Sequence, residues 1–132
     1  MQLLRRLFRL SPPLAAHLRA GQRGEQAAVA YLKRHGFTIH ARNVRIGKHD
    51  EIDIVAFDPV DKVIVFAEVK TRTRADPDFR PELNLTRDKR HRMARAARRW
   101  ILQHRWPGGY RLDLLCVIGT SISEHYREVA WQ

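Results

Sequence analysis

Two apolar stretches, Glu51–Phe57 and Lys62–Thr71, flank the tetrapeptide Asp58-Pro59-Val60-Asp61. Pro at the second turn position presets φ, and Asp at the first favours the reversal, so the spacing predicts an antiparallel hairpin. No other feature constrains the fold as strongly, because a hairpin decides which side chains share a face. By strict alternation Glu51, Asp53 and Val55 lie on one side, with Ile52, Ile54 and Ala56 on the other. In the next strand Phe66, Glu68 and Lys70 lie opposite Val65, Ala67 and Val69. Carboxylates and an ammonium in strands this apolar are costly unless they pair or bind a cation.

The rest of the chain supplies partners for the hairpin. Gly24–His35 reads as a helix, with Ala28, Tyr31, Leu32 and His35 at helical spacing and Gly36 placed for a left-handed cap. Phe37–Val44 alternates as a strand. Arg72–Leu85 carries Pro77 and Pro81 and predicts a loop, after which Thr86 can cap a helix over Arg87–His104. Met93, Ala96, Ala97, Trp100, Ile101 and His104 trace its buried stripe, and Pro107-Gly108-Gly109 ends it. Tyr110–Ile118 is a further strand, and the tail adds a short one over His125–Ala130. The order α-β-β-β-α-β predicts one mixed α/β or α+β domain over residues 23–132.

Residues 1–22 precede it as a basic arm, flexible or forming a short amphipathic helix. Arg5, Arg6 and Arg9 split its only apolar stretch, which argues against a signal peptide; a transit peptide shares this composition. No apolar run approaches the ~20 residues of a membrane span. The lone Cys116 excludes an intrachain disulfide and a Cys-based zinc site. The seven histidines show no zinc-helix spacing, and His49 reads as a turn residue. A soluble, cytoplasmic domain is the expectation.

Lys and Arg number 25 against 14 acids, a formal charge of +11. Such a surplus calls for a polyanion, and nucleic acid is the commonest. The charge is unevenly placed: Arg87–Arg105 holds eight basic residues and one acid, whereas Asp50–Glu68 holds six acids and only Lys62. Lys89 and Arg90 at the start of the basic helix, its face of Arg92, Arg95 and Arg99, and Arg72 are candidate phosphate contacts; a merely solvated basic face is the alternative. Asp53 and Glu68 are the oxygen ligands that Mg²⁺ takes, and Lys70 can point at the same spot as Glu68. A cross-strand salt bridge, Lys70 with Asp53 or Glu68, accounts for the same pattern, and both readings stay open on the pattern alone.

Asp53, fourteen residues, then Glu68-Val69-Lys70 resembles the PD-(D/E)XK nuclease signature. The chain more closely resembles the YraN family of small bacterial proteins related to archaeal Holliday-junction resolvases. The resemblance rests on Gly24-Glu25, Tyr31-Leu32, Gly36-Phe37, Arg42-Asn43, the runs Glu51–Ala56 and Val65–Arg72, and Arg111-Leu112-Asp113. It implies a restriction-endonuclease-like fold, with a mixed central sheet between helices. It also implies Mg²⁺ or Mn²⁺ held by Asp53, Glu68 and the Val69 carbonyl, with Lys70 as the catalytic lysine and Glu25 as a helix-borne acid added to the site. Glu51 falls in the family's Gly-Glu-Ile-Asp stretch, where Asp50 replaces the usual glycine. An acid in a helix's first turn also favours the macrodipole, an independent explanation of Glu25. Asp113 reads as a structural partner for a neighbouring arginine.

The implied activity is metal-dependent hydrolysis of DNA phosphodiesters, on branched or junction DNA, with a homodimer by analogy to two-fold junctions. A DNA-binding accessory protein without catalysis is the alternative. A membrane-surface or partner-docking role for the arm is a third.

Overall fold

Helix, three strands, helix and two strands follow one another along the computed structural model, which describes residues 12–72 and 85–129. They are α1 (Pro12–Arg34), β1 (Thr38–Ile46), β2 (Asp50–Asp58), β3 (Val63–Arg72), α2 (Arg87–His104), β4 (Tyr110–Ile118) and β5 (Ser121–Tyr126). Arg5, Arg6 and Arg9 of the arm, Pro77 and Pro81 of the expected loop, and Ala130 lie outside the described residues.

The first helix starts at Pro12, well before the Gly24 start expected from apolar spacing. Proline at a helix start forfeits no hydrogen bond, and Leu, Ala, Arg and Gln are good helix formers, so the chain upstream of Gly24 continues the helix. Gly36 ends it as expected. With φ at 86° it lets Phe37 N–H reach Leu32 O (2.9 Å) while its own N–H reaches Lys33 O (3.0 Å). Thr86 caps α2 as expected, its hydroxyl accepting from Lys89 N–H at 3.1 Å. The left-handed residue closing that helix is Arg105 rather than a glycine.

The five strands lie in sequence order, β1-β2-β3-β4-β5. All neighbours are antiparallel except β3 and β4, whose parallel pairing requires the crossover that α2 supplies. β5 begins at Ser121, earlier than the predicted tail strand, because Gly119 (φ 63°) reverses the chain directly after β4. The two outermost pairings each shift register once, between Ile39 and Ala41 and between Cys116 and Val117. Ala28, Val29 and Leu32 of α1 pack on Ile54, Ala56, Val65, Ala67 and Leu115. Met93, Ala96, Ala97 and Trp100 of α2 pack on the other face, against Val55, Ile64, Phe66, Leu112 and Leu114.

Strict alternation fails in β1, where Ile39 packs beneath α1 but Ala41 beneath α2 across their register shift, and again in β2. Ile52 packs beneath α2 with Val55, whereas Ile54 and Ala56 pack beneath α1, so Ile52 does not share their face. The switch falls at Asp53, and neither Asp53 nor the facing Asn43, left-handed at φ 51°, is paired in the β1–β2 ladder. Asn tolerates that conformation better than most residues, which lets the strand turn there.

At the opposite end of the sheet sits a buried ionic network. The Arg111 guanidinium gives two hydrogen bonds to Asp113 (2.7 and 2.9 Å), one to Asp58 (3.1 Å) and one to Asp61 (2.6 Å). His125 Nε2 lies 2.7 Å from Asp113 Oδ2, and its Nδ1 is 3.2 Å from the Tyr31 hydroxyl. Burial pushes the Asp113 carboxyl up, but His125 and Arg111 outweigh it and hold it below the usual carboxylate range. Asp113 is thus the arginine partner expected from sequence. Arg111→Met deprives the buried Asp58 and Asp113 of the guanidinium that gives them three hydrogen bonds. It is expected to cost about 3–5 kcal/mol in denaturant unfolding at neutral pH.

Candidate active site

The β2–β3 ladder runs from Asp58↔Val63 to Ile54↔Ala67 and stops there. The next residues outward are Asp53 and Glu68, so the two carboxylates sit where the strands part. Parting frees the Val69 N–H, and Asp53 Oδ2 accepts from it at 2.8 Å. That bond draws Asp53 toward the gap between the strands.

Beside this gap lies a cleft of about 410 Å³, its walls formed by Ala20, Gly21 and Glu25 of α1, Asp53 of β2 and Glu68–Arg72 of β3. α1 comes this close because Gly24 is buried against β3: a Cβ there would overlap Thr71 Oγ1 and stand 2.9 Å from Thr71 Cγ2. The next residue, Glu25, thereby reaches the cleft. Its Oε1 is buried with no hydrogen-bond partner among the described residues. Because α1 starts at Pro12, Glu25 is not in the first turn, and the macrodipole explanation for it falls away.

The acids perturb one another. Burial, then the neighbouring Glu68, push the Asp53 carboxyl up to about 7, and Glu25 adds to this against the pull of Val69 N–H and Lys89. Burial likewise raises the Glu25 carboxyl, opposed chiefly by Arg42. Glu68 is 7% exposed and carries two ammonium groups on one oxygen. Lys70 Nζ is 3.5 Å and Lys89 Nζ 3.2 Å from its Oε1. The salt bridge weighed from sequence therefore exists as Lys70–Glu68, but in an open cleft rather than a sealed core.

Other candidates fall elsewhere. Glu51 is exposed and does not line the cleft, although its charge still raises Glu25. Arg72 lies at the cleft's rim and also lines an adjoining recess of about 140 Å³ with Arg23. Arg92, Arg95 and Arg99 do lie together, around Asp50. Arg95 is committed there, with two 2.8 Å hydrogen bonds to the Asp50 carboxylate, which hold that group below the usual carboxylate range. Arg90 faces a separate groove of about 370 Å³ with Arg98 and Tyr110. Sequence reasoning missed the Lys89–Glu68 contact, which no local spacing encodes, and Asn43, whose place opposite Asp53 follows only from strand register.

Among the described residues, no group of three His, Cys, Asp or Glu side chains is drawn together closely enough to cage a metal. The donor set still fits Mg²⁺ or Mn²⁺. Mg²⁺ keeps several waters and is commonly held by one or two carboxylates plus substrate phosphate. Here Asp53 and Glu68 are hard oxygen donors lining the cleft, with Glu25 Oε1, unpartnered among the described residues, on the same cleft.

A model of the uncharacterised protein family UPF0102 matches residues 24–117, the span that holds every one of these cleft acids. A UPF0102 protein of Oleidesulfovibrio alaskensis is 48% identical over 103 residues, 77% of this chain and 49% of that protein, so the chain spans about half the length of that relative. One from Streptomyces coelicolor is 43% identical over 116 residues, covering 83% of this chain and 87% of its own. One from Bacteroides fragilis is 40% identical over 119 residues, covering 87% and 94%.

Two outcomes follow from this geometry. Gly24→Ala is expected to cost about 1–3 kcal/mol in thermal or denaturant unfolding, and less in a Thr71→Ala background, since the two side chains compete for one space. Asp53 ionises near 3.8 when unfolded and at about 7 when folded, so the folded state holds the extra proton between those values. Its contribution to stability therefore falls as pH rises through that window. Asp53→Asn keeps an oxygen for the Val69 N–H and removes the effect. Its stability relative to wild type should rise by about 1 kcal/mol or more between about pH 5 and about pH 8, measured by urea unfolding.

Proposed function

That this chain belongs to UPF0102, the YraN family, leaves its chemistry open, and we propose from its cleft that it is a metal-dependent DNA endonuclease of the PD-(D/E)XK type. The observation that carries the reading is the meeting of Asp53, Glu68, Lys70 and Glu25 on one open cleft in a chain of net charge +11. Cations on α2 and at the cleft's rim fit a polyanionic substrate, and branched or junction DNA is the substrate class suggested by the resemblance to resolvases.

Asp53 and Glu68 would hold Mg²⁺ or Mn²⁺. In a strand the N–H and C=O of one residue face the same neighbour. The Val69 carbonyl therefore also faces the side that β2 has left, available as a third oxygen. A bound divalent ion supplies Lewis acidity: it polarises the scissile phosphate and lowers the pKa of an attacking water. Lys70 Nζ, beside Glu68 on the cleft wall, is placed to neutralise negative charge developing on the phosphate. Glu25, whose carboxyl burial shifts upward, lines the same cleft and would accept or return a proton.

One observation favours the second reading, a DNA-binding accessory protein without turnover: Glu68 is already paired with two lysines, and the described residues hold no ready-made three-ligand cage. Incubation with supercoiled and four-way DNA in Mg²⁺ or Mn²⁺ separates the two. The endonuclease should cut, and Lys70→Ala should slow it by about 10²-fold or more. Salt-sensitive DNA binding in chelator, with no cleavage in either metal and no difference between wild type and Lys70→Ala, establishes the accessory role instead.

A further inference from the structure

Glu68 is nearly buried, and both of its cations sit on the same oxygen, Oε1. They differ in origin. Lys70 belongs to the same strand, two residues on, and accompanies Glu68 wherever the strand goes. Lys89 comes from the first turn of α2, where the Thr86 cap fixes its backbone N–H. Its side chain is 31% exposed, and its Nζ lies 3.2 Å from Glu68 Oε1. A lysine is a compact charge on a flexible stem of four carbons, able to change partners without moving the helix.

An ammonium in contact with Glu68 Oε1 repels any divalent ion approaching that carboxylate and occupies the oxygen such an ion would take. A phosphate entering the cleft offers the same ammonium a second anion. Resting on the endonuclease or DNA-binding reading above, we propose that Lys89 is a positioning residue coupling divalent-cation binding at Glu68 to nucleic-acid binding. In the free protein it is the counter-ion of Glu68. A nucleic-acid phosphate draws it away and opens the carboxylate to the metal, and the metal in turn releases it to the phosphate. Each ligand then strengthens the other by the same factor, because binding linkage is reciprocal.

The test uses the full chain and two probes, Mn²⁺ and a labelled DNA duplex with phosphorothioate linkages that resist hydrolysis. Calorimetry without DNA should show Mn²⁺ binding to Lys89→Gln about three- to tenfold more tightly than to wild type, since a competing charge is gone. Lys89→Arg, which keeps the charge, should bind as wild type does. A lysine that merely braces Glu68 predicts the opposite sign, weaker Mn²⁺ binding in Lys89→Gln. Fluorescence anisotropy should show saturating Mn²⁺ tightening duplex binding by wild type several-fold over chelator, and Lys89→Gln should lose that gain. Unchanged or weaker Mn²⁺ binding in Lys89→Gln, or an undiminished gain on DNA, overturns the coupling while leaving the cleft's metal site standing. Absence of Mn²⁺ heat in the wild type overturns the metal site and the coupling together.

Discussion

The hydrogen bond from Val69 N–H to Asp53 Oδ2 decides what the β2–β3 hairpin becomes at its open end. Had the ladder continued past Ile54↔Ala67, Asp53 and Glu68 would face each other as a like-charged cross-strand pair, an arrangement that destabilises a sheet. Separation of the strands relieves that repulsion but frees backbone groups that must find partners. Asp53 satisfies one of them with its own side chain. The same bond stabilises the carboxylate, whose pKa is otherwise driven upward by burial and by Glu68. Strand separation, carboxylate placement and an open cleft are thus one event.

The acidic block between Asp50 and Glu68 looks uniform as a string of residues, and geometry divides it. Asp50 holds Arg95 and pins α2 to the β1–β2 turn. Asp58 and Asp61 share Arg111 at the far end of the sheet. Glu51 is exposed. What remains, Asp53 and Glu68, faces the cleft with cations on only one of them. The Arg111 network is saturated with hydrogen bonds and buried, as a structural ion cluster should be. In the cleft an oxygen of Glu25 has no partner among the described residues, the opposite condition.

Much of this was legible in the chain because the controlling signals are local. The Asp-Pro-Val-Asp turn, the Thr86 cap, the Gly36 stop and the apolar stripe of α2 act within a few residues, and each stands where expected except at the end of the stripe, where Ile101 is half-buried and His104 exposed because the helix runs past the sheet's apolar face. Alternation in β3 also held, placing Phe66 beneath α2 and Ala67 beneath α1. It fails in β1, where the extra residue between Ile39 and Ala41 puts Ala41 on the opposite face from Phe37 and Ile39, and in β2, where the turn at Asp53 depends on Asn43 in a different strand. The sequence leaves the arm open between a flexible segment and a short amphipathic helix, and that α1 runs unbroken from Pro12 through Gly24 is not legible because Gly21 and Gly24 interrupt the run of helix formers. Gly24 was read as part of a helix, but its use, close contact with Thr71, is tertiary. Arg95 falls with the basic face by helical spacing, and nothing near it in sequence shows that Asp50 lies within reach.

The register shifts at Ile39/Ala41 and Cys116/Val117 lie in the first and last pairings of the sheet, one beside each open border. An irregular strand bends and twists more than its neighbours, and it offers an incoming chain a broken rather than a continuous row of amides. Among the described residues both borders therefore discourage a sixth strand, and there the sheet limits its own width by kinks in its margins.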